Sequence, residues 1–449
     1  MRDTNLLFFG KLFTSALNFL GFILLARYMD IEIFGEYSLS IAYAGVFNLV
    51  IFQFIRVSIV RLGMNNDENL KQLSSLFIKI FLFNLIVILL LFAVGSNKVF
   101  FVMAGMSLGC FEITQEICRV QEQNRKLVVN TIVRSLVFFI SVYFTIYFNL
   151  ISLSIILIIF SFSYLIIGLA KVYDLRNHIF VKTKPQFIRQ VLMYSLPICF
   201  STGMIYLVDY FDRYYINLYL SSEELGLYSG AYTLAQQSVG VILMAINMAF
   251  YPTLVKEYDR NRDKFDKLRQ SYLTILLVFI VAMVFYASVY DVNIVTLILG
   301  NGFQSASSIF SIIVVSICIG CFKSYFIDIE FFLEKKTKLI FYNSILSATT
   351  NIALNIYLIP KFGITGAALA TLSTFIISAS VSYIMSKKIV VRFETLLRSL
   401  KYCAVFVVLT LVINYFFGGN DYILAMMLST VVIMATTLTC YRSVLKRLR

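Results

Sequence analysis

Charged residues are scarce in this sequence. They make up 14% of its 449 residues, against about 25% in soluble domains, whereas hydrophobic residues make up 60%. With a mean hydropathy of +0.85, this composition excludes a soluble fold and indicates an integral membrane protein. Apolar runs of about twenty residues recur from end to end, each long enough to cross a hydrocarbon core as a helix. Because the runs do not alternate between apolar and polar residues, they also exclude a β-barrel.

Histidine is almost absent, and cysteine forms no recognisable framework. His178 is the only histidine and lies in a basic loop without an obvious partner, so we interpret it as a surface residue. Cys318 and Cys321 have redox or zinc spacing, but they lie within an apolar run, where a thiol packs like alanine. The sequence therefore predicts no disulfides, no metal site and no cofactor. It shows no nucleophile–base constellation either, so we do not expect an enzyme.

Hydropathy predicts an all-α polytopic membrane protein with about fourteen transmembrane helices. The spans lie near residues 6–26, 39–60, 76–96, 99–119, 127–148, 151–172, 192–219, 228–250, 271–290, 305–332, 339–358, 363–386, 399–417 and 421–441. An even number of spans places both termini on the same side of the membrane.

Lysine and arginine are distributed unevenly between the predicted loops. The outer loops hold only Arg27, Lys98 and Lys361. Most others lie in segments assigned to the inner side, at 2, 61–79, 119–126, 171–189, 256–269, 335–338, 387–401 and 442–449. By the positive-inside rule both termini are cytoplasmic. This distribution explains the formal charge of +14 without a nucleic-acid partner.

An internal repeat indicates two halves of the same topology. Residues 34–38 (FGEYS) and 225–229 (LGLYS) open the helix after the first and the seventh span, and acidic residues precede both. We therefore predict an N-terminal six-helix lobe at 1–175, a cytoplasmic linker at 176–190 and a C-terminal six-helix lobe at 191–388. Two additional helices with a basic cytoplasmic tail follow at 389–449.

Four stretches, at 21–38, 194–197, 224–234 and 359–371, resemble a known family. The chain is similar to polysaccharide-repeat-unit flippases of the Wzx type, in the multidrug/oligosaccharidyl-lipid/polysaccharide exporter superfamily. The resemblance implies two six-helix lobes around a central cavity that opens alternately to each side, followed by two extra helices. It implies a bacterial cytoplasmic-membrane flippase for undecaprenyl-pyrophosphate-linked oligosaccharides in O-antigen or capsule synthesis. Expected partners are the lipid-linked oligosaccharide, membrane lipid and other polysaccharide assembly proteins.

Five basic residues lie within predicted spans and outside the segments assigned to either side: Lys11, Arg56, Arg134, Arg213 and Lys323. A pyrophosphate head group requires a wet cationic cavity, and these side chains are the first candidates to provide it. Arg134 and Lys323 lie about 12 and 16 Å deep at 1.5 Å per residue. We favour a cavity role for these two, with a buried ion pair as the alternative. Lys11 and Arg56 lie nearer the interface, where snorkelling explains them equally well.

Acidic and aromatic residues share helix faces with the candidate cations. Glu112 and Glu116 belong to a polar stripe that ends with Arg119 and Gln123, and the stripe is either a cavity wall or a structural network with Arg119. Asp209 and Asp212 also allow two interpretations. They line the cavity, or Asp209 and Arg213, which form an i, i+4 pair, neutralise each other. Gln115 belongs to the same stripe as Glu112. Tyr206, Tyr210 and Tyr214 share a face with Asp209 and Asp212 and are candidates for sugar stacking. Asp328 and Glu330 lie closer to the cytoplasmic end, where Lys323, Lys335 and Lys336 are their expected partners. A proton or Na⁺ is the expected coupling ion if transport is gradient-driven.

Three rival functions remain. A cation-coupled multidrug exporter of the same superfamily shares the lobes, but it requires an anionic cavity. A lipid II flippase carries a similar substrate, and sequence alone distinguishes it poorly from a repeat-unit flippase. A membrane polysaccharide polymerase or ligase is disfavoured, because the predicted outer loops are short and lack a catalytic constellation.

Overall fold

The structure, a computed structural model, describes residues 2–64, 66–96, 98–386, 391–418 and 421–448, with side chains from Leu6 to Arg442 except Phe8. The described residues contain helices and no strand, so the predicted all-α fold class is confirmed. From the predicted inner segments, residues 387–390 and Arg449 lie outside the described residues. So do the side chains of residue 2 and of the tail from residue 443.

The described residues form α-helices of very different length, joined by short connections. They are α1 (Arg2–Tyr28), α2 (Ile31–Ile51), α3 (Gln53–Leu62), α4 (Asp67–Ala93), α5 (Val99–Val120), α6 (Asn124–Tyr147), α7 (Leu153–Asp174), α8 (Pro185–Tyr219), α9 (Ser222–Ala235), α10 (Val241–Arg260), α11 (Arg262–Val289), α12 (Asp291–Leu299), α13 (Ser307–Phe322), α14 (Ile329–Leu333), α15 (Thr337–Ser386), α16 (Phe393–Phe417) and α17 (Tyr422–Leu448).

Twelve helical segments in the described part of the chain are long and apolar enough to cross a membrane. α5 is not among them, and it carries the polar stripe of Glu112, Gln115 and Glu116. α15 counts as one segment of 50 residues, although Gly363 interrupts its helical backbone. With α5 included and α15 divided, the segments match the predicted spans one for one. The number of crossings and the side of the termini stay predictions.

Three interruptions shape the long helices. Gly363 has φ +58°, a left-handed conformation that glycine adopts without strain, and it divides α15 at the predicted turn. At Gly366 an added Cβ would lie 2.3 Å from the carbonyl oxygen of Leu358, so the two halves approach too closely for a larger residue there. π-helical turns at Gln236–Gly240 and Lys323–Ile327 interrupt two further helices. Such turns are frequent at functional sites.

The chain divides into two compact units, 1–226 and 227–449. In the first unit the main helix pairs are α1 with α6, α5 with α7 and α2 with α5, and α8 packs on α2 and α3. The predicted linker at 176–190 lies inside this unit. Its 3-10 turn, Arg176–Phe180, packs on α4, and Ser75 Oγ of α4 donates a hydrogen bond of 2.9 Å to the Val181 carbonyl.

In the second unit α11 is the central helix. It packs against α10, α13, α16 and α17, so the two C-terminal helices dock directly on it. The hydroxyl of Tyr286 lies 3.2 Å from Thr430 Oγ1, and that of Tyr290 lies 3.1 Å from Ser429 Oγ. These hydrogen bonds join α11 to α17 within the apolar interior.

The two segments of the predicted repeat meet in a reciprocal contact between two helix starts in the first unit. A Cβ on Gly35 would lie 2.0 Å from the carbonyl oxygen of Ser222, and one on Gly226 would lie 2.1 Å from that of Ile31. Both distances exclude any side chain. The glycine of each copy therefore permits close backbone contact with the other copy.

Candidate functional site

The candidate site in the first unit begins with a buried arginine. Arg134 of α6 is 6% exposed, and its Nη2 donates hydrogen bonds to Asn18 Oδ1 of α1 at 2.7 Å and to Ser135 Oγ at 2.6 Å. Its guanidinium carbon lies 4.7 Å from the centre of the Tyr164 ring on α7. Tyr37 of α2 is within electrostatic range.

Arg134 lacks a carboxylate partner among the described residues, where no Asp or Glu oxygen lies within 4.0 Å of it. A buried ion pair, the alternative prediction for this residue, is therefore not what these residues form. A cation held by neutral groups in an apolar surrounding is costly, and a bound anion would offset that cost.

A second cluster surrounds Glu112 on α5. Its Oε2 accepts a charge-assisted hydrogen bond from Arg56 of α3 and one of 2.8 Å from Asn48 Nδ2 of α2. The side chains of Arg56 and Glu112 are 26% and 31% exposed, so the pair is partly open to solvent. Arg56 is therefore held in place by an acid on another helix.

The rest of the polar stripe on α5 divides into two parts. Glu116 pairs with Arg119 at 2.9 Å, so this part is the local network that the sequence left as an alternative. Gln115 lies between the two acids, and both polar atoms of its amide are buried without a hydrogen-bond partner in the described part of the chain. An unpaired buried amide is costly and indicates a group that a ligand or water would satisfy.

The aromatic run on α8 packs beside these clusters. Tyr206 and Tyr210 stack with ring centres 4.3 Å apart, and the Tyr206 hydroxyl donates a hydrogen bond of 2.8 Å to the Ala42 carbonyl of α2. The guanidinium of Arg213 lies 4.6 Å from the centre of the Tyr210 ring. Its Nη1 donates 3.0 Å to the main-chain oxygen of Asp209.

The three clusters lie on helices that pack on one another in the first unit. Helix α2 packs on α5, α7 and α8, and α6 packs on α7. The predicted residues of this unit lie on α3, α5, α6 and α8: Arg56, Glu112, Glu116, Arg134, Tyr206, Asp209, Tyr210, Asp212 and Arg213. Lys11 is exposed on α1 and has no ion-pair partner in the described residues, so snorkelling and function stay open for it.

The second unit places its deep cations differently. Lys323 Nζ lies 2.7 Å from Asp328 Oδ2, and the other oxygen of Asp328 accepts a hydrogen bond of 2.7 Å from Ser382. Lys323 is thus in the ion pair predicted as its alternative state. Glu330 Oε2 lies 3.9 Å from Arg269 Nη2 of α11.

Sequence reasoning missed the neutral residues that hold the charged ones. Asn18 and Asn48 stand out only as isolated amides in apolar runs, which is a usable signal in a membrane span. Tyr164 and Tyr37 carry no such signal, because they are two of 28 tyrosines and their partners lie on distant helices.

Comparison with known proteins places this arrangement in context. The family described as "Polysaccharide biosynthesis protein" matches residues 1–258. The fold is similar to the structure described as "Lipid II flippase MurJ, inward closed conformation", with a TM-score of 0.77, 15% identity, and coverage of 98% of this chain and 99% of that one.

The fold is also similar to a multidrug resistance MATE family transporter of the MOP superfamily. Its inward-facing conformation gives a TM-score of 0.59 at 12% identity over 83% of this chain and 94% of that one. Its outward-facing conformation gives 0.53 at 12% identity over 86% and 94%. At these identities the likeness establishes the fold alone. No curated protein sequence matches the chain.

Proposed function

The chain belongs to the family of polysaccharide biosynthesis proteins, and from that premise we propose that it is a flippase. Its substrate is an undecaprenyl-pyrophosphate-linked oligosaccharide repeat unit, which it moves from the cytoplasmic to the outer leaflet of a bacterial inner membrane by alternating access. The product supplies surface polysaccharide such as O-antigen or capsule. The chain acts as a transporter and not as an enzyme.

The observation that carries this proposal is the uncompensated charge of Arg134. The substrate joins a polyanionic pyrophosphate to a polar glycan and a long apolar tail. An arginine held only by neutral groups suits phosphate oxygens, because its planar fork can donate two parallel charge-assisted hydrogen bonds. Asn18 and Tyr164 hold the guanidinium in place, so little side-chain entropy is lost on binding.

Arg56 is the second proposed phosphate ligand, and Glu112 controls its availability. When no substrate is bound, Glu112 neutralises and holds the arginine, and Asn48 in turn holds Glu112. A pyrophosphate carries more negative charge than one carboxylate and competes for the same donors. Exchange of partners at Arg56 would allow tight binding on one side of the membrane and release on the other.

The stacked tyrosines provide a surface for the glycan. Tyr206 and Tyr210 stack on α8, which packs on α2 and α3, and the unpaired Gln115 amide offers both a donor and an acceptor to sugar hydroxyls. We assign Arg213 to support this platform, since it covers Tyr210. Lys323 and Lys11 are secondary candidates, because Asp328 already neutralises the first and the second is exposed.

Coupling of transport to a proton or Na⁺ gradient is a separate part of the proposal. The carboxylates that would carry it are Asp209, Asp212, Glu112 and Glu116. The Asp209→Asn and Glu112→Gln variants, measured for gradient-dependent transport in vesicles, test these positions. Gradient dependence unchanged from the parent would reject both carriers.

Transport in reconstituted vesicles tests the proposed function directly. We expect Arg134→Ala to abolish flipping of a pyrophosphate-linked oligosaccharide, and Arg134→Lys to restore little of it, because lysine lacks the planar fork. Arg125→Ala is the matched control, since Arg125 is exposed on the same helix. Membrane insertion at parental levels is measured for all three variants.

The outcomes separate the rival functions. Parental transport by Arg134→Ala would remove the cationic site on which the proposal rests. Equal transport of lipid II would favour a lipid II flippase, whose pyrophosphate would use the same arginine. Export of a cationic drug without transport of either lipid would favour a multidrug exporter instead.

A further inference from the structure

A basic surface cavity lies at the turn between α14 and α15, and none of the residues that line it belongs to the proposed transport site. It has a volume of about 710 Å³ and is lined by Lys335, Lys336, Thr337, Lys338, Leu339 and Met385. All three lysines are exposed. From this cavity we infer a binding site for the phosphate head group of an anionic membrane phospholipid.

The backbone of the turn holds the lysines in a defined arrangement. Lys335 has φ +58°, and its N–H donates 3.2 Å to the Phe332 carbonyl while that of Lys336 donates 2.8 Å to the Phe331 carbonyl. These crossed hydrogen bonds close the end of α14. The next residue, Thr337, begins α15, whose first turn adds partial positive charge to the same place.

The charge of the cavity is only partly compensated. Lys336 Nζ lies 2.8 Å from Glu334 Oε2. Lys335 and Lys338 have no ion-pair partner in the described residues, which leaves two cations for an external anion. Each lysine near a membrane surface strengthens binding of anionic lipid about fivefold.

Apolar side chains next to the lysines favour a lipid over a soluble anion. Leu339 and Met385 form part of the cavity wall. Phe332 and Tyr342 expose 49% and 61% of their surface on the adjoining helices. A cationic cavity with an apolar wall at the end of membrane-spanning helices matches a phospholipid, in which a phosphate lies directly above its acyl chains.

The absence of tryptophan from the chain permits a direct test. A Phe332→Trp reporter in the full-length protein would be the only tryptophan, and it would lie beside the cavity. Nanodiscs of phosphatidylcholine are prepared with a minor fraction of dibrominated phosphatidylglycerol or dibrominated phosphatidylcholine, and quenching gives the relative affinity. We expect preferential quenching by phosphatidylglycerol, and about 25-fold loss of that preference in Lys335→Gln/Lys338→Gln.

A matched control removes the same charge elsewhere. Lys256→Gln/Lys267→Gln takes two exposed lysines from the ends of α10 and α11 and should keep the preference. Lys338→Glu is a second test variant, because an acidic residue is favourable in the first turn of α15. Equal loss in the control, equal quenching by both lipids, or displacement by millimolar inorganic phosphate would overturn the inference. None of these readouts depends on the transported substrate.

Discussion

Replacing Glu112 by glutamine removes the carboxylate that joins three helices while it keeps the size of the side chain. Glu112 of α5 accepts hydrogen bonds from Arg56 of α3 and Asn48 of α2. Charge-assisted hydrogen bonds contribute about 1.5–3 kcal/mol, and breaking a fully buried pair costs about 3–5 kcal/mol. Because the pair is 26% and 31% exposed, we expect a cost of about 2 kcal/mol, between surface and buried values.

A double-mutant cycle measures that energy. Glu112→Gln and Arg56→Ala should each lower the apparent Tm by about 5 °C, at roughly 2–4 °C per kcal/mol. Glu112→Gln/Arg56→Ala should lower it by little more than either single change, since both remove the same interaction. Arg119→Ala is the control: its pair with Glu116 is local and Arg119 is 59% exposed, so we expect a change of about 1 °C or less.

The same variants test the proposed exchange of partners. Glu112→Gln frees Arg56, so the purified variant should bind inorganic pyrophosphate more tightly than the parent, by about tenfold if about 1.4 kcal/mol of the ion pair no longer competes. Strictly additive Tm changes in the cycle would show that the two residues act independently. Unchanged or weaker pyrophosphate binding by Glu112→Gln would refute the exchange at Arg56.

Three further predictions concern packing, a buried pair and pH. Gly35→Ala should destabilise the protein by about 1–3 kcal/mol through overpacking. Gly203→Ala should have little effect, because the atom nearest to the added Cβ would be 3.8 Å away. Denaturation curves of the two variants measure the difference. Asp328→Asn should lower the apparent Tm more than Glu112→Gln, because it leaves Lys323, which is 14% exposed, unpaired. Burial and nearby lysines lower the pKa of His178, so stability should fall as pH drops below the usual histidine range of about 6.5, and His178→Gln should weaken that fall.

Much of the fold could be predicted because a membrane imposes it. Backbone polar groups must be satisfied within each span, so continuous apolar runs determine helices and their approximate limits. The predicted spans 339–358 and 363–386 divided the chain where Pro360 and Gly363 interrupt α15. The glycines at 35 and 226 were visible as part of a repeat, but their close contact was not predicted. The break between α2 and α3 at Phe52 could not be predicted, because no proline or glycine is present there.

The site could be predicted only as a set of unusual residues. An arginine or glutamate in an apolar run is visible in the sequence, but its partner depends on which helices are neighbours. Glu112 is followed by Arg119 on its own helix, yet it pairs with Arg56 on another. Depth estimates from residue counts also treated Arg134 and Lys323 alike, although their surroundings differ.

That difference between Arg134 and Lys323 indicates how the two units differ in function. In the second unit the deep cation Lys323 is matched by an acid, Asp328. In the first unit Arg134 has only an amide, a hydroxyl and an aromatic ring as neighbours in the described residues. A cation that is already in an ion pair binds an external anion weakly, because binding must first break the pair. A buried cation without an acidic partner is stabilised by the whole charge of a bound anion. We therefore expect the phosphate-binding energy to come mainly from the first unit, so that Arg134→Ala should weaken binding far more than Lys323→Ala when pyrophosphate affinity is compared at parental folding.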